Sequence, residues 1–277
     1  MSILKVLGTV IAFSGIAVGF VFMALYVRNN KPVSEKTGLL ELVKAPVWIN
    51  EELSEKIYTA ATASGEDLKL DEDAARSVQQ NIEYGVAWVD NVRVQVTSER
   101  FLISARWRKP LALVKMGLSK CYVDSELVVL DYVPMSKLPI VQITGAPLNT
   151  ELPQPGQIWN SSDITAAVAI LDKLDRRDNL NNSQRPLLYE IGRIDVSNYG
   201  GRENSRASHI ILYTTDNIEI LWGAELGAWQ RHLEATDEEK IAKLYSYYTE
   251  YGTLLGGVKY INLCDPRDNI PLPIDKY

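Results

Sequence analysis

The sequence predicts an α+β protein with a single N-terminal transmembrane helix, a β-α-α-β-β domain, and then a mixed β-sheet domain with helices on one face. Three observations lead to this fold class: a long uncharged apolar run near the N-terminus, two helical periodicities followed by two strand alternations, and several short apolar strands later in the chain. A composition of 46% hydrophobic and 23% charged residues is typical of a folded chain.

The N-terminal apolar run covers residues 6–27 and contains no charged residue. At about 1.5 Å rise per residue, a helix of this length spans the roughly 30 Å hydrocarbon layer of a bilayer. The run is longer than the apolar core of a secretory signal, so we expect an uncleaved anchor. Arg28, Lys31 and Lys36 after the run favour a cytoplasmic C-terminus, and this charge bias alone leaves the orientation open.

The next region predicts one strand, two helices and a hairpin. Residues 46–49 are a short strand candidate, and Asn50 and Asp71 are placed to cap two helices. Gly85 is placed to end the second helix. The apolar positions expected on the buried faces are Leu53, Ile57 and Ala61 in the first helix and Ala74, Val78 and Ile82 in the second. Alternating apolar residues over 92–96 and 101–107 predict the hairpin.

The remaining sequence predicts a β-rich domain with two helices. Strand-like stretches occur at 121–132, where they flank an acidic turn, and at 140–144, 189–196, 209–214, 218–222 and 258–264. The first helix is expected from Ser162 to about Arg177. Thr236 and Glu239 form a capping box for the second helix, which runs through Tyr251. The proline-bearing tail, residues 266–277, is expected to be unstructured.

The β-α-α-β-β order resembles a POTRA domain, with Trp88 and Val89 before the hairpin and the basic-Pro-x-Ala run 108–112 at its end. From residue 1 to about 268 the chain resembles the FtsQ/DivIB family of bacterial cell-division proteins. The residues that carry this resemblance are Tyr122, Val123 and Asp124 with Val128 and Val129, Leu138 and Pro139 leading to Gly145, and the closing strand 258–263. The chain departs from the family pattern at Asn262 and Cys264, and residues 223–237 look like extra length.

The resemblance divides the chain into a cytoplasmic tip and transmembrane anchor (1–27), a linker (28–44), a POTRA-like domain (45–115), a β-rich domain (116–265) and a flexible tail (266–277). It implies a non-enzymatic assembly protein without a cofactor, at the division site of the cell inner membrane, with its domains in the periplasm or outside the cell. Membrane-spanning partners of the FtsB and FtsL kind, or DivIC in some bacteria, would dock on the POTRA-like domain and on the C-terminal edge strand to coordinate septal peptidoglycan synthesis.

The closing strand is the candidate partner-binding site, because a strand at the edge of a sheet offers backbone groups to which a partner can add a strand. The candidate residues are Lys259, Tyr260, Ile261, Asn262, Leu263, Cys264 and Asp265. Because successive side chains point to opposite faces, we expect Ile261 and Leu263 in the core, with Tyr260 and Asn262 beside the docking edge. The alternative is that all four merely finish a covered sheet.

Other functions have weaker support in the sequence. The net charge of −6 disfavours a nucleic-acid partner, and no small-molecule substrate is expected. No His-Glu-x-x-His, Gly-x-Ser-x-Gly or phosphate-binding glycine loop occurs, so an envelope hydrolase is poorly supported and no catalytic or metal residue is assigned. A POTRA-bearing secretion or polypeptide-handling component is the main alternative.

Three sets of polar residues have structural interpretations. His209 and His232 are expected to be core or surface residues, and Asp172, Asp175 and Asp178 to form a solvated charged face. Cys121 and Cys264 would cross-link the β-rich domain in an oxidising compartment, or else stay as free thiols.

Overall fold

The computed structural model describes residues 18–20, 22–23, 34–63, 65, 68–147, 152–180, 185–256, 258–265 and 267. Over this part the chain is α+β, with a large mixed sheet of eight strands, a three-stranded sheet and a two-stranded sheet. The predicted tail lies outside the described residues, except for 267.

The predicted transmembrane helix is the part of the fold class that is wrong. Among the described residues, no helix has both the length and the apolar character that crossing a membrane requires. The run that led to the prediction lies outside the described residues apart from 18–20 and 22–23, which are helical.

The first unit has the order β-α-α-β-β with two additional short strands. Its elements are β1 (Ser34–Thr37), β2 (Leu39–Leu42), α1 (Glu51–Ala61), β3 (Lys69–Leu70), α2 (Glu72–Gly85), β4 (Val89–Val96) and β5 (Arg100–Trp107). In the three-stranded sheet, β5 lies between β2, to which it is parallel, and β4, to which it is antiparallel. β1 pairs with β3.

The two helices of this unit begin as predicted. The Asn50 side chain accepts a hydrogen bond from the backbone N–H of Leu53 at 2.9 Å, and Asp71 accepts from Ala74 at 2.8 Å. Each cap satisfies a donor that the first helical turn leaves without a partner. The buried residues are Leu53, Ile57 and Ala61 in α1 and Ala75, Val78 and Ile82 in α2, so Ala75 takes the place predicted for Ala74.

The predicted strand at 46–49 is wrong, because residues 47–48 form a turn and Val47 is exposed. The first strand of the three-stranded sheet is β2, inside the segment expected to be a linker. β2 pairs with β5, and its Leu40 and Leu42 pack on the apolar cluster beneath this sheet. β2 therefore takes the place in the sheet that was predicted for residues 46–49.

The second unit is built on the eight-stranded sheet. Its elements are β6 (Pro110–Met116), β7 (Ser119–Asp124), β8 (Val129–Asp131), β9 (Val141–Thr144), α3 (Ser162–Leu180), β10 (Ile191–Asp195), β11 (Ile210–Thr214), β12 (Glu219–Gly223), α4 (Trp229–His232), α5 (Asp237–Tyr251) and β13 (Tyr260–Asn262), with short 3-10 turns at Leu187–Glu190 and Tyr199–Gly201. The strand order is β13-β12-β11-β10-β9-β6-β7-β8.

Helices α3 and α5 lie side by side on one face of this sheet. The Tyr245 hydroxyl donates to the Leu174 carbonyl at 3.0 Å, and both helices share one apolar cluster with alternate residues of the strands. The capping box of α5 is present as predicted, with Thr236 and Glu239 bonded to each other's backbone. The opposite face of the sheet is covered by the first unit at its β7 and β8 end, where Tyr122 and Leu130 join the other apolar cluster.

One observation about the polar residues differs from expectation, and another decides between the two alternatives for the cysteines. Asp178 does not belong to a solvated face: it is buried, and it accepts hydrogen bonds from the backbone N–H groups of Leu187 and Leu188 and from the Tyr245 hydroxyl. Both cysteines are free. Cys121 lies on β7 and Cys264 just after β13, with five strands between them. At about 4.8 Å per strand, they are too far apart for a disulfide, which needs Cα atoms within about 7 Å.

Candidate docking edge

β13 is an edge strand of the eight-stranded sheet. β12 is its neighbour, parallel to it, with Ile220 opposite Ile261 and Leu221 opposite Asn262. It is shorter than the predicted strand, with three residues in place of 258–264. Nothing in the described part of the chain pairs with its other side as a strand, so that side is where an extended partner segment would add.

The register determines which backbone groups point outward. The Leu263 N–H donates to the Leu221 carbonyl at 3.0 Å. In a parallel ladder alternate residues bond to the same neighbouring strand, so Ile261 and Leu263 face β12. The N–H and C=O groups of residues 260, 262 and 264 therefore point away from the sheet. Within the described residues no hydrogen bond reaches the outward groups of Tyr260.

The second half of this edge is already bonded by the chain itself. The Lys243 ammonium donates to the Asn262 carbonyl at 2.7 Å and to the Asp265 carbonyl at 3.2 Å. The Cys264 N–H donates to the Asn262 side-chain oxygen at 3.0 Å, and the Cys264 carbonyl accepts from the Ala235 N–H at 2.7 Å. The edge is therefore open at Tyr260 and capped from Asn262 onward.

The side chains of the candidate residues lie in three environments. Ile261 and Leu263 are fully buried, which confirms the predicted alternation, and Tyr260 is 40% exposed. Lys259 is exposed, whereas Asn262, Cys264 and Asp265 are half-buried. Only part of the predicted set is accessible to a partner, because the alternation that buries Ile261 and Leu263 removes them from the surface.

The extra segment, residues 223–237, packs over the end of β13. The Glu234 carboxylate accepts from the Ala224 N–H at 3.0 Å and from the Lys240 ammonium at 2.6 Å. Gly223 has φ +94°, and a Cβ on it would lie 2.2 Å from the Glu234 carboxylate, so this close approach requires glycine. Ala235 follows Glu234 in the chain, and its N–H donates to the Cys264 carbonyl.

The two histidines of the chain contact each other beside this segment. Their rings are 4.6 Å apart at 79°, His209 is buried, and no hydrogen bond reaches its Nδ1 from the described residues. Burial, followed by the neighbouring His232, lowers the pKa of His209. In the described part of the chain, no group of three or more His, Cys, Asp or Glu side chains is placed to hold a metal ion.

A second edge strand lies in the first unit. β4 is at the outer side of the three-stranded sheet and runs for eight residues. A groove of about 550 Å³ separates its second half from α2, and Arg76, Gln79 and Gln95 are among the residues that line it. This edge is longer than β13, but among the described residues its groove carries no buried polar side chain without a partner.

The sequence did not indicate that α5 and the extra segment bond the second half of the β13 edge. Lys243 lies on a helix and Ala235 in a loop, and neither stands close in sequence to β13. Lys243 lies four residues before the buried Tyr247, so both are on one side of the helix. No local pattern shows that this side meets the end of a strand.

Two comparisons with known proteins give no relative of this chain. No protein-family model matches it, and no curated protein matches it either. The functional conclusion therefore depends on the fold and on the geometry of the edge.

Proposed function

We propose that this protein is a non-enzymatic assembly protein of bacterial cell division, of the FtsQ/DivIB kind. It binds membrane-spanning partners of the FtsB and FtsL (DivIC) type by letting an extended partner segment add to β13. It acts at the division site of the cell inner membrane, with its folded units in the periplasm or outside the cell, and helps coordinate septal peptidoglycan synthesis.

The observation that carries the proposal is the open outward side of β13 at Tyr260. A sheet edge with free N–H and C=O groups forms main-chain hydrogen bonds with an added strand, and the side chains beside it provide selectivity. Tyr260 is half-exposed and Lys259 is exposed, so both are available to contact alternate side chains of the added segment.

The resemblance in element order gives this edge its biological context. A β-α-α-β-β unit precedes a large mixed sheet, and the last described strand forms an edge of that sheet. These features support an assembly role, since the working groups are backbone donors and acceptors rather than a reactive side chain.

The proposal is tested by removing the outward N–H of Tyr260. We expect Tyr260→Pro to weaken capture of division partners about fivefold, because proline removes a ladder donor and each such hydrogen bond contributes about 1 kcal/mol. Tyr260→Thr is the matched control, because threonine also removes the aromatic ring but keeps the N–H and suits a strand. Co-purification of the full chain from dividing cells, with quantified partner yield, is the measurement.

A folded Tyr260→Pro protein that captures its partners as well as Tyr260→Thr would contradict the proposal. The urea midpoint of each variant establishes that both are folded. A larger loss with Pro than with Thr, at equal stability, would support main-chain pairing at this position.

One observation favours the alternative of a secretion or polypeptide-handling component. The β4 edge is eight residues long and borders an open groove, which suits transient binding of unfolded chains of varied sequence. Under that alternative, bound polypeptides contact Gln95 on β4 more than Tyr260, and the bound set contains many exported proteins rather than a few division proteins.

A further inference from the structure

The Lys243 side chain links helix α5 to the docking strand. Its helix covers the face of the sheet on which Ile261 and Leu263 are buried, and its ammonium reaches the edge to bond the carbonyls of Asn262 and Asp265. The side chain is half-buried, and the bond to Asn262, at 2.7 Å, has the length of a charge-assisted hydrogen bond.

This contact occupies a group that strand addition needs. An added strand bonds the outward groups of alternate residues, beginning with Tyr260 and continuing at Asn262. An incoming N–H competes with the Lys243 ammonium for the Asn262 carbonyl oxygen. A partner segment that extends past Tyr260 therefore pairs best with β13 when it displaces Lys243.

Once displaced, the Lys243 ammonium needs a new hydrogen-bond acceptor, and the partner segment is placed to provide it. Moving a half-buried ammonium away from a carbonyl is unfavourable unless another acceptor takes its place. A carboxylate on the helix-covered side of the added strand provides a charge-assisted acceptor at that point. Glu219 on β12 does not provide this acceptor. It is paired with Tyr260 and lies on the face of the sheet away from α5, because Ile220 and Ile261 are buried on the α5 side.

We propose that Lys243 occupies the Asn262 carbonyl on the outward side of β13 and selects a partner segment that carries an Asp or Glu facing α5. This inference rests on the proposed function, and it assigns that function a specificity-determining residue and a partner chemistry. Lysine at a sheet edge also discourages unspecific edge-to-edge pairing, so one side chain performs both tasks.

Synthetic peptides that differ at a single residue test the inference directly. The probe is a set of ten-residue peptides of alternating Thr and Val, in which one Glu or one Gln is moved along the sequence. A photoreactive phenylalanine at position 260 of the full chain reports only peptides that reach this edge. The measured quantity is the ratio of Glu-peptide to Gln-peptide cross-linking at each position.

We expect a preference for Glu of about fivefold at one peptide position with Lys243 present, the range of a partly exposed ion pair. The preference should disappear in Lys243→Met, and total cross-linking should rise because the Asn262 carbonyl is released. Lys120→Met is the matched control: it removes the same charge from an exposed position on β7, at the far end of the same sheet, and should retain the preference at that position.

Two results would overturn the inference, and they differ in what else they overturn. Cross-linking of peptides with equal Glu and Gln yields, or a preference that survives Lys243→Met, removes the role of Lys243 and leaves edge docking intact. No cross-linking of any peptide, with either Lys or Met at 243, means that the edge accepts no strand and also removes the proposed function.

Discussion

Lys240 is fully buried, and its charge determines how the extra segment is held. Its ammonium bonds the Glu234 carboxylate at 2.6 Å and lies 5.6 Å from the centre of the Trp222 ring. Glu234 in turn bonds the Ala224 N–H. A buried charge is tolerated only when it is paired and hydrogen-bonded, so these contacts form one unit.

Loss of one partner of this ion pair should destabilise the protein strongly. We expect Lys240→Ala to lower the free energy of unfolding by about 3 kcal/mol, because it leaves the Glu234 carboxylate without its cation in a mostly buried site. Lys259→Ala, on the exposed surface, should change it by less than about 0.5 kcal/mol. Urea unfolding monitored by tryptophan fluorescence measures both. Equal effects would show that Lys240 is not a buried charge in solution.

The helices show what local sequence determines. Asn50, Asp71 and Thr236 are caps, as predicted, since a cap depends on a side chain and a backbone N–H three residues away. The strands depend on distant partners. The sequence pattern did not indicate β6, because the run after Pro110 resembles the exit of a hairpin, whereas it pairs with β7 and with the parallel strand β9.

In the candidate site, too, the local features were predictable and those that depend on distant residues were not. Alternation placed Ile261 and Leu263 in the core correctly, because the side-chain period of a strand is a local property. The caps on Asn262 and Cys264 come from α5 and the extra segment, and only tertiary packing brings these together. The first strand was misplaced to 46–49 for a similar reason: pairing of β2 with β5 links residues about 60 positions apart.

The capping box gives a prediction at the scale of one element. We expect Thr236→Ala to lower the free energy of unfolding by about 1 kcal/mol, since it removes the acceptor of the Glu239 N–H at the start of α5. Ser246→Ala, on an exposed position within the same helix, is the control and should be neutral or slightly stabilising. Thermal unfolding of the two variants measures the difference, and equal midpoints would contradict a stabilising box.

At the scale of the whole molecule, an ionic network joins the two units. Arg108 bonds Asp90 on β4 and, across the junction, Asp124 and Glu126, each at 2.8 Å. Arg106 also bonds Glu126, at 2.9 Å. Beside the network, the Trp88 and Tyr122 rings pack edge to face with their centres 5.8 Å apart. The units are therefore held together by both charge and apolar contact.

This network makes the stability of the folded chain fall as the pH is lowered. Hydrogen bonds from Arg106, and then from Arg108, lower the pKa of Glu126 from 4.5 to about 2. A carboxyl group with a lowered pKa in the folded state contributes stability above pH 4.5, and this is lost as the pH falls towards 2. Glu126 is half-exposed, so solvent screening keeps the contribution small.

We expect Glu126→Gln to flatten the fall of stability between pH 4.5 and about 2 relative to the unmodified chain. The urea midpoint measured across this pH range is the readout, and Glu99→Gln, on the exposed turn before β5, is the control. Identical acid profiles for Glu126→Gln and the unmodified chain would show that the network does not hold Glu126 ionised.

Docking of partners on β13, rather than on β4, can be tested in dividing cells. The most direct measurement places a photoreactive phenylalanine at position 260, at 95 on β4, or at 118 in the fully exposed β6–β7 turn, and identifies the cross-linked proteins in dividing cells. We expect position 260 to capture a small set of membrane-spanning division proteins and positions 95 and 118 to capture none of them. Capture of these proteins at 95 or 118 with none at 260 would contradict it.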